Sequence, residues 1–204
     1  MIHYLSLFLA SVLLFAENNL HDESPKGRPH HTLSYGVSGS VAIYDGTVFV
    51  GQTGSSLNNG SVYIYSYDKT GALITNQIFP DFGNHVEFDF GYSVSVDEDV
   101  MIVGAPSRSE KGTGRAFIYK KSMASQWKIV QEIIPSGDQW TNDFGSEVVV
   151  SGRFLMIGDR YARDESGLIY AMRFDEKTNK WTKLDPIWSD QSLSHGLFGH
   201  SIDI

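Results

Sequence analysis

Side chains that could carry out chemistry are few in this sequence, and they form no recognisable catalytic motif. The chain has no cysteine, which excludes disulfides, thiolate zinc sites and cysteine nucleophiles. It also lacks a Gly-x-Ser-x-Gly nucleophile elbow and a His-Glu-x-x-His zinc motif. We therefore expect no catalytic residue and no cofactor, although a site assembled from distant parts of the chain stays open at this point.

Histidines and one acidic run are the remaining candidates for metal binding. His30 and His31 are adjacent, and His21 is nearby, in a polar segment where neighbouring side chains of an extended chain point apart. The acidic run at 97–99 separates two apolar runs, as a solvated hairpin turn does. Both patterns favour exposed polar residues over a metal site.

The charge balance and the first residues of the chain bear on partners and location. A net charge of -8 without clustered Lys and Arg predicts no nucleic-acid partner. Residues 1–16 hold an apolar stretch that is typical of a secretory signal peptide and is shorter than the about 20 residues of a transmembrane helix. We expect a secreted or cell-surface protein with a polar linker at 17–36 and no transmembrane helix after signal cleavage. The alternatives are that residues 1–16 are a retained membrane anchor or a buried strand.

The body of the chain is built from a repeated sequence. FGYSVSVDEDVMIVG at 90–104 aligns without gaps with FGSEVVVSGRFLMIG at 144–158, and VSGSVAIYDGTVFVG at 37–51 is an earlier copy. Gly91, Gly145 and Gly199 follow one another at intervals of 54 residues (145 − 91 and 199 − 145). These intervals predict repeats at 37–89, 90–143 and 144–197, with the start of a fourth repeat at 198–204.

Each repeat predicts four short strands that pair as an antiparallel meander. In the second repeat we expect strands at 92–96, 100–103, 115–120 and 127–134. The run VMIV at 100–103 is apolar on both faces, so neighbouring sheets must cover both of its sides. We therefore predict an all-β fold of radially stacked β-propeller blades, with three blades complete, a fourth begun and the ring incomplete.

The second repeat resembles the FG-GAP repeat, the blade motif of the integrin α-subunit propeller. The wider pattern is similar to FG-GAP repeats of uncharacterised microbial proteins, and it lacks the Trp-Asp and Gly-Gly pairs of WD40 and kelch repeats. Only the second copy keeps Gly-Ala-Pro in full. We expect a structural role for Phe90, Gly91, Gly104, Ala105, Pro106, Phe144, Gly145, Gly158, Phe198 and Gly199, since glycines at strand ends permit close approach or positive φ.

The resemblance raises the question of calcium, because integrin repeats often carry calcium loops after the GAP strand. The corresponding segments here are 52–59, 107–113 and 159–166. None of them alternates oxygen ligands as calcium requires. We therefore expect that the protein binds no calcium or other metal ion.

Tryptophans and one sequon are the remaining candidate sites. Trp127 and Trp181 share a repeat position and are expected in the core, whereas Trp140 and Trp188 lie near the segments that lead to the next Phe-Gly. An exposed tryptophan there could stack on a sugar or anchor a protein contact, and packing against a neighbouring blade is the alternative. Asn59 begins an Asn-Gly-Ser sequon that could carry a glycan or simply form a turn.

These features predict a secreted or cell-surface binding or adhesion module for a protein or carbohydrate ligand, without catalysis. The alternatives are the N-terminal part of an extracellular propeller hydrolase and a truncated product without independent function. An enzyme is expected to gather carboxylates, His or Arg from several blades, whereas a binding module is expected to vary in scattered loops. The unfinished fourth repeat predicts a fragment or a homo-oligomer that completes the propeller.

Overall fold

The structure, a computed structural model, describes residues 40–55, 58–78, 80, 87–109, 112–135, 143–188 and 196–204. All of these residues belong to the unit Ser34–Ile204. No helix among them is long and apolar enough to cross a membrane. The predicted segments and residues outside the described residues are the signal peptide at 1–16, the linker at 17–36, His21, His30, His31 and Trp140.

In the described part of the chain, twelve strands form three four-stranded antiparallel sheets that follow one another along the sequence. The first sheet contains β1 (Val41–Tyr44), β2 (Thr47–Ser55), β3 (Asn58–Tyr67) and β4 (Leu73–Ile78). The second contains β5 (Ser93–Asp97), β6 (Val100–Ala105), β7 (Arg115–Lys121) and β8 (Trp127–Ile133). The third contains β9 (Glu147–Ser151), β10 (Phe154–Asp159), β11 (Leu168–Asp175) and β12 (Lys180–Lys183), with one helical turn, α1 (Ala162–Glu165), after β10. Strands pair in chain order, so each sheet is a meander.

The second sheet agrees with the strands predicted for the second repeat, because each observed strand end lies within about two residues of the expected one. The acidic run forms the end of β5 and the tight turn that follows, where Glu98 has a φ of 51°. Gly152, one repeat later, has a φ of 53° in the matching turn. The prediction of an all-β fold made of four-stranded sheets is confirmed.

Two apolar cores lie between successive sheets. The first core joins residues of the first and second sheets, and the second core joins the second and third sheets. Strand β6 contributes to both, since Met101 and Val103 belong to the first core and Ile102 to the second, and all three are 0% exposed. Burial of each such side chain stabilises the fold by about 1.5–3 kcal/mol. The prediction that the VMIV run is covered on both faces is confirmed.

The Phe-Gly pairs that open the second, third and fourth repeats each lie against two glycines of the repeat before. A Cβ added to Gly104 would lie 1.9 Å from the carbonyl oxygen of Gly145, and one added to Gly114 would lie 2.0 Å from that of Phe144. Backbone atoms at these distances leave no room for a side chain, so only glycine fits at both positions. Equivalent contacts recur at the other Phe-Gly pairs, 90–91 and 198–199.

Two segments expected to be loops contain regular structure instead. Strands β2 and β3 pair as far as Ser55 and Asn58, so most of 52–59 belongs to a β-hairpin. The next repeat keeps the start of β3 extended, because the carbonyl oxygen of Asn59 accepts a hydrogen bond from the N–H of Phe90 at 2.9 Å. Asn59 therefore lies in a strand and not in a turn, and its glycosylation stays a prediction. The segment 159–166 contains α1.

Candidate functional site

Arg160, which follows β10, connects side chains from three successive repeats. Its Nε lies 2.9 Å from Oδ2 of Asp143, and its Nη2 donates a hydrogen bond to Oδ1 of Asp143 at 3.2 Å. Its Nη1 lies 3.3 Å from Nδ1 of His200, and it also forms a hydrogen bond with Tyr92. Asp143 precedes the Phe-Gly of the third repeat. Tyr92 and His200 follow the Phe-Gly of the second repeat and that of the fourth repeat. We call these four residues the Arg160 cluster.

The electrostatics of the Arg160 cluster reflect burial and pairing. Burial acts to lower the pKa of Arg160, but the charge of Asp143 and the interaction with Tyr92 outweigh it, so the pKa is raised. Burial raises the pKa of nearby Glu147, and the charge of His200 opposes part of that rise. Asp143 is 7% exposed. A buried carboxylate is costly to leave unpaired, so the ion pair holds Arg160 and Asp143 together.

A second Asp–Arg pair occurs one repeat earlier. Asp89 precedes Phe90, and its Oδ1 accepts a hydrogen bond from Nε of Arg108 at 2.6 Å. Nη2 of Arg108 also donates a hydrogen bond to the carbonyl oxygen of Phe88 at 3.1 Å. Arg108 and Arg160 differ in their distance from the glycine that ends the GAP strand. The pairing therefore recurs although the repeat position of the arginine does not.

A cleft with a volume of about 250 Å³ lies between the second and third sheets, at the strand ends away from the Phe-Gly turns. We call it the second cleft, because a first cleft lies between the first and second sheets. The acidic run lines its rim, where Nζ of Lys120 lies 3.4 Å from Oδ2 of Asp99 and 5.7 Å from the ring centre of Phe174. Oδ2 of Asp97 accepts a hydrogen bond from the N–H of Gly152 at 2.6 Å. These charged groups already have partners within the protein.

A side-chain amide bridges the two sheets at the second cleft. Nε2 of Gln131 donates a hydrogen bond to the carbonyl oxygen of Trp181 at 3.0 Å, and its Oε1 accepts one from the N–H of Trp181 at 3.1 Å. Trp181 lies in β12, the edge strand of the third sheet, and is 5% exposed. Gln131 therefore satisfies backbone groups that an edge strand otherwise leaves unpaired.

The first cleft lies between the first and second sheets and is larger, with a volume of about 530 Å³. Gln77 and Trp127 line it, and they precede Gln131 and Trp181 by one repeat. Nε2 of Gln77 donates a hydrogen bond within its own sheet, at 3.1 Å. Trp127 is only partly buried, and its ring centre lies 5.6 Å from that of Phe49 in an edge-on contact. The glutamine and tryptophan at these two repeat positions are therefore hydrogen-bonded to each other across the second cleft, whereas in the first cleft they line the cavity without such a bond.

The sequence of the second sheet matches a known family. The family model for the FG-GAP repeat matches residues 87–119, which include Phe90-Gly91, Gly104-Ala105-Pro106 and strands β5 and β6. The chain therefore carries an FG-GAP repeat at residues 87–119. FG-GAP repeats typically occur in extracellular or surface proteins.

The solved structures similar to this chain include the crystal structure of Saccharomyces cerevisiae Sqt1. The two chains share 10% sequence identity, with a TM-score of 0.47, and the match covers 76% of this chain. This chain spans 36% of the Sqt1 chain. No curated protein matches this chain in sequence.

Of the two tryptophans considered as ligand contacts, Trp140 and Trp188, the residues that the structure describes include only Trp188. It is 49% exposed, and the guanidinium of Arg163 lies 5.1 Å from the centre of its ring. An exposed indole beside a cation suits a contact surface. A role of Trp188 or Trp140 in ligand binding stays a prediction.

The acidic and histidine side chains of the described residues bear on metal binding. Within the described ranges, no three His, Asp or Glu side chains lie close enough together to hold a metal ion. Asp159 replaces the alanine of the GAP sequence and is fully buried. Burial, with the charge of Asp159, raises the pKa of Tyr170 to about 12. The expectation that no calcium binds remains a prediction.

The third sheet has an apolar face that corresponds to a buried face of the second sheet. Phe154 is 49% exposed and Met156 is partly buried, and they lie one repeat after Val100 and Ile102. Ile102 is buried because the third sheet covers it. Among the described residues, no further sheet covers the equivalent face of the third sheet.

Sequence patterns did not predict the Asp–Arg pairs or the glutamine bridge. The available signal for the pairs was an Asp before Phe-Gly at 89–91 and again at 143–145. The available signal for the bridge was the recurrence of glutamine at the same repeat position, Gln77 and Gln131. Neither signal identifies a partner, because both partners are set by how neighbouring strands and turns meet.

Proposed function

We propose that this chain is a secreted or cell-surface binding module that recognises a protein or carbohydrate ligand without catalysing a reaction. The observation that carries this proposal is the pair of clefts between stacked sheets, each lined by side chains from two sheets. Preformed concave sites on a rigid frame are where ligands usually bind. The frame is rigid here because a buried apolar core joins each pair of sheets.

Export is the first part of this proposal. It is supported by the apolar stretch in residues 1–16 and by the typical location of FG-GAP repeats. The test is expression of the full chain in a host with a secretory pathway, followed by mass spectrometry of the N-terminus in the medium. We expect material that begins near residue 17. Secreted material that retains residues 1–16 would show that this segment is not a cleaved signal.

Ligand binding is the second part, and it is tested on the purified chain. The probes are immobilised fibronectin, immobilised collagen and an oligosaccharide array. We expect saturable binding to at least one of them, weakened by Lys120→Glu or Lys121→Glu, which change the charge of the two clefts. Lys177→Glu, in the exposed β11–β12 turn, is the matched control and should leave binding unchanged. Failure of every probe to bind saturably would contradict a binding function.

A propeller hydrolase is the second candidate, and the Arg160 cluster is the observation that favours it. The cluster brings a guanidinium, a carboxylate, a phenol and an imidazole together from three repeats, and such groups can act as general acids and bases. The burial of Asp143 in its ion pair with Arg160 favours a structural role instead.

Turnover of 4-methylumbelliferyl esters and glycosides separates these two functions. A binding module should give no turnover above buffer. Turnover that disappears in Arg160→Gln, with an unchanged melting temperature, would support the hydrolase. A truncated product without independent function is the third candidate, suggested by the exposed apolar face of the third sheet. Absence of both a cooperative thermal transition and ligand binding would support it.

A further inference from the structure

We propose that the first cleft binds an acidic oligosaccharide, with Trp127 as the stacking surface, Gln77 and Asn76 as hydrogen-bonding amides, and Lys121 and Lys128 as partners of the sugar carboxylates. The inference rests on the proposed binding function and names the ligand class for one of its two clefts. It makes Trp127, which the sequence placed in the core, a ligand contact.

The size of the first cleft suits a sugar chain. Its volume of about 530 Å³ falls within the range of about 300–1,000 Å³ that is usual for ligand pockets, whereas the about 250 Å³ of the second cleft falls below that range. Strands β3 and β4 form one wall, and β8 with the β7–β8 turn forms the other. A ligand in this cleft would therefore contact both sheets.

The lining of the first cleft combines polar side chains with one partly exposed aromatic ring. Asn76, Gln77 and Gln126 supply amides, and Ser66 and other serine and threonine residues supply hydroxyls. Amides and hydroxyls both donate and accept hydrogen bonds, which matches the hydroxyl groups of a sugar. Trp127 supplies a flat apolar surface with an amphipathic ring, suited to the C–H face of a sugar.

The charge of the first cleft selects an acidic ligand. Lys121 and Lys128 line it, and the described residues of its lining include no Asp or Glu. Neither lysine forms an ion pair with another residue that the structure describes, and Nζ of Lys121 lies 6.0 Å from the ring centre of Trp127. In the second cleft, by contrast, Lys120 is paired with Asp99. Two lysines beside an indole can bind a carboxylated sugar ring.

The comparison between the clefts shows that Gln77 does not join two sheets as Gln131 does. Gln131 and Trp181 bridge the second and third sheets through two hydrogen bonds. Gln77 and Trp127 occupy the same repeat positions, but Gln77 donates within its own sheet and Trp127 stays partly exposed. The edge-on contact with Phe49 fixes the indole without covering the cleft. The first cleft therefore presents a preformed site.

Isothermal titration of the purified chain tests the proposal. The probes are tetrasaccharides of hyaluronan, oligogalacturonate and alginate, all of which carry uronate carboxylates. Neutral chitotetraose and hexaglutamate are the comparison probes. We expect at least one uronate tetrasaccharide to bind roughly tenfold more tightly than either comparison probe, and its binding to weaken as salt is raised.

Substitutions locate the binding in the first cleft. Lys121→Gln with Lys128→Gln should weaken uronate binding roughly tenfold, as should Trp127→Ala. Trp127→Phe keeps an aromatic ring beside Phe49 and should weaken binding less, which separates lost stacking from lost folding. The matched control is Lys177→Gln in the exposed β11–β12 turn, which should bind as the wild type does.

The outcomes separate this inference from the proposed function. Failure of all three uronate probes, while fibronectin, collagen or a neutral glycan binds, would overturn the inference and leave the binding function standing. Failure of every probe would overturn both. Binding of hexaglutamate as tight as that of the sugars would show that the cleft takes acidic peptides instead. Uronate binding that survives the lysine and Trp127 substitutions would place the site elsewhere.

Discussion

At the scale of single residues, Gly104 is a position where two repeats approach closely. Gly104→Ala would place a Cβ 1.9 Å from the carbonyl oxygen of Gly145 and 2.2 Å from Oγ of Ser93, which donates a hydrogen bond to that oxygen at 2.8 Å. Because backbone must move and the Ser93 bond is lost, we expect the free energy of unfolding to fall by about 3 kcal/mol. Thermal unfolding measures the change.

Gly152→Ala is the matched control for Gly104→Ala. Gly152 has a φ of 53°, but a Cβ added there meets no atom within 4 Å. Glu98 holds a φ of 51° at the same position one repeat earlier, so this turn accepts a side chain. Its expected cost is about 1 kcal/mol, from the left-handed backbone alone. An equal effect of the two substitutions would contradict the importance of the close approach.

Glu147 leads to a prediction about pH. Burial raises its pKa in the folded protein, and the charge of His200 opposes part of that rise. A raised folded pKa means that this carboxyl favours the folded state at low pH and that its contribution is lost as pH rises through the folded pKa. Glu147→Gln removes the buried charge, so we expect a higher melting temperature than wild type at pH 7.5.

The pH dependence of that difference is the sharper measurement. The advantage of Glu147→Gln should shrink as pH falls through the folded pKa of Glu147 toward the ordinary glutamate pKa of about 4.3, because the wild-type carboxyl then becomes protonated in the folded protein. Glu98→Gln, in the exposed turn after β5, is the control for the loss of one carboxylate. A Glu147→Gln protein that melts below the wild type at pH 7.5 would show that the pairing with His200 outweighs burial.

At the scale of elements, Gln131 protects an edge strand. Gln131→Leu leaves the N–H and carbonyl oxygen of Trp181 without their partner, and we expect a loss of about 1–3 kcal/mol in the free energy of unfolding. Gln77→Leu, the same change one repeat earlier, removes a bond within one sheet and should cost less. Hydrogen exchange should become faster at the Trp181 amide in Gln131→Leu alone. Unchanged exchange there would show that the bridge does not protect the edge.

The elements were more predictable than their contacts. The strands of the second repeat could be predicted because glycines and turn residues separate the strand-like runs. In these runs the apolar residues either alternate with polar ones or follow one another without a break. The hairpin over 52–59 could not be predicted from the sequence, because its start in β3 is held extended by a hydrogen bond with Phe90 of the next repeat. The difference in burial between Trp127 and Trp181 could not be predicted from the sequence either. It accompanies a difference in hydrogen bonding, since Gln131 bonds to the next sheet and Gln77 bonds within its own sheet.

At the scale of the whole molecule, the same stacking step is repeated from sheet to sheet. Apolar residues of one sheet face the next, while a Phe-Gly backbone fits against paired glycines such as Gly104 and Gly114. Each step needs a following sheet to cover the last apolar face. Phe154 and Met156 occupy the repeat positions of Val100 and Ile102, the residues of the second sheet that face the third sheet. Self-association that completes the propeller is therefore a prediction for the third sheet.

Light scattering across a concentration series tests whether a second copy covers the third sheet. We expect the wild type to associate as its concentration rises, because Phe154 is 49% exposed on a face whose equivalent is buried in the second core. Phe154→Lys places a charge on this face and should keep the protein monomeric. Val130→Lys changes a residue that is 55% exposed on the edge strand β8, away from that face, and should leave association unchanged. A wild type that stays monomeric throughout would show that a second copy does not cover this face.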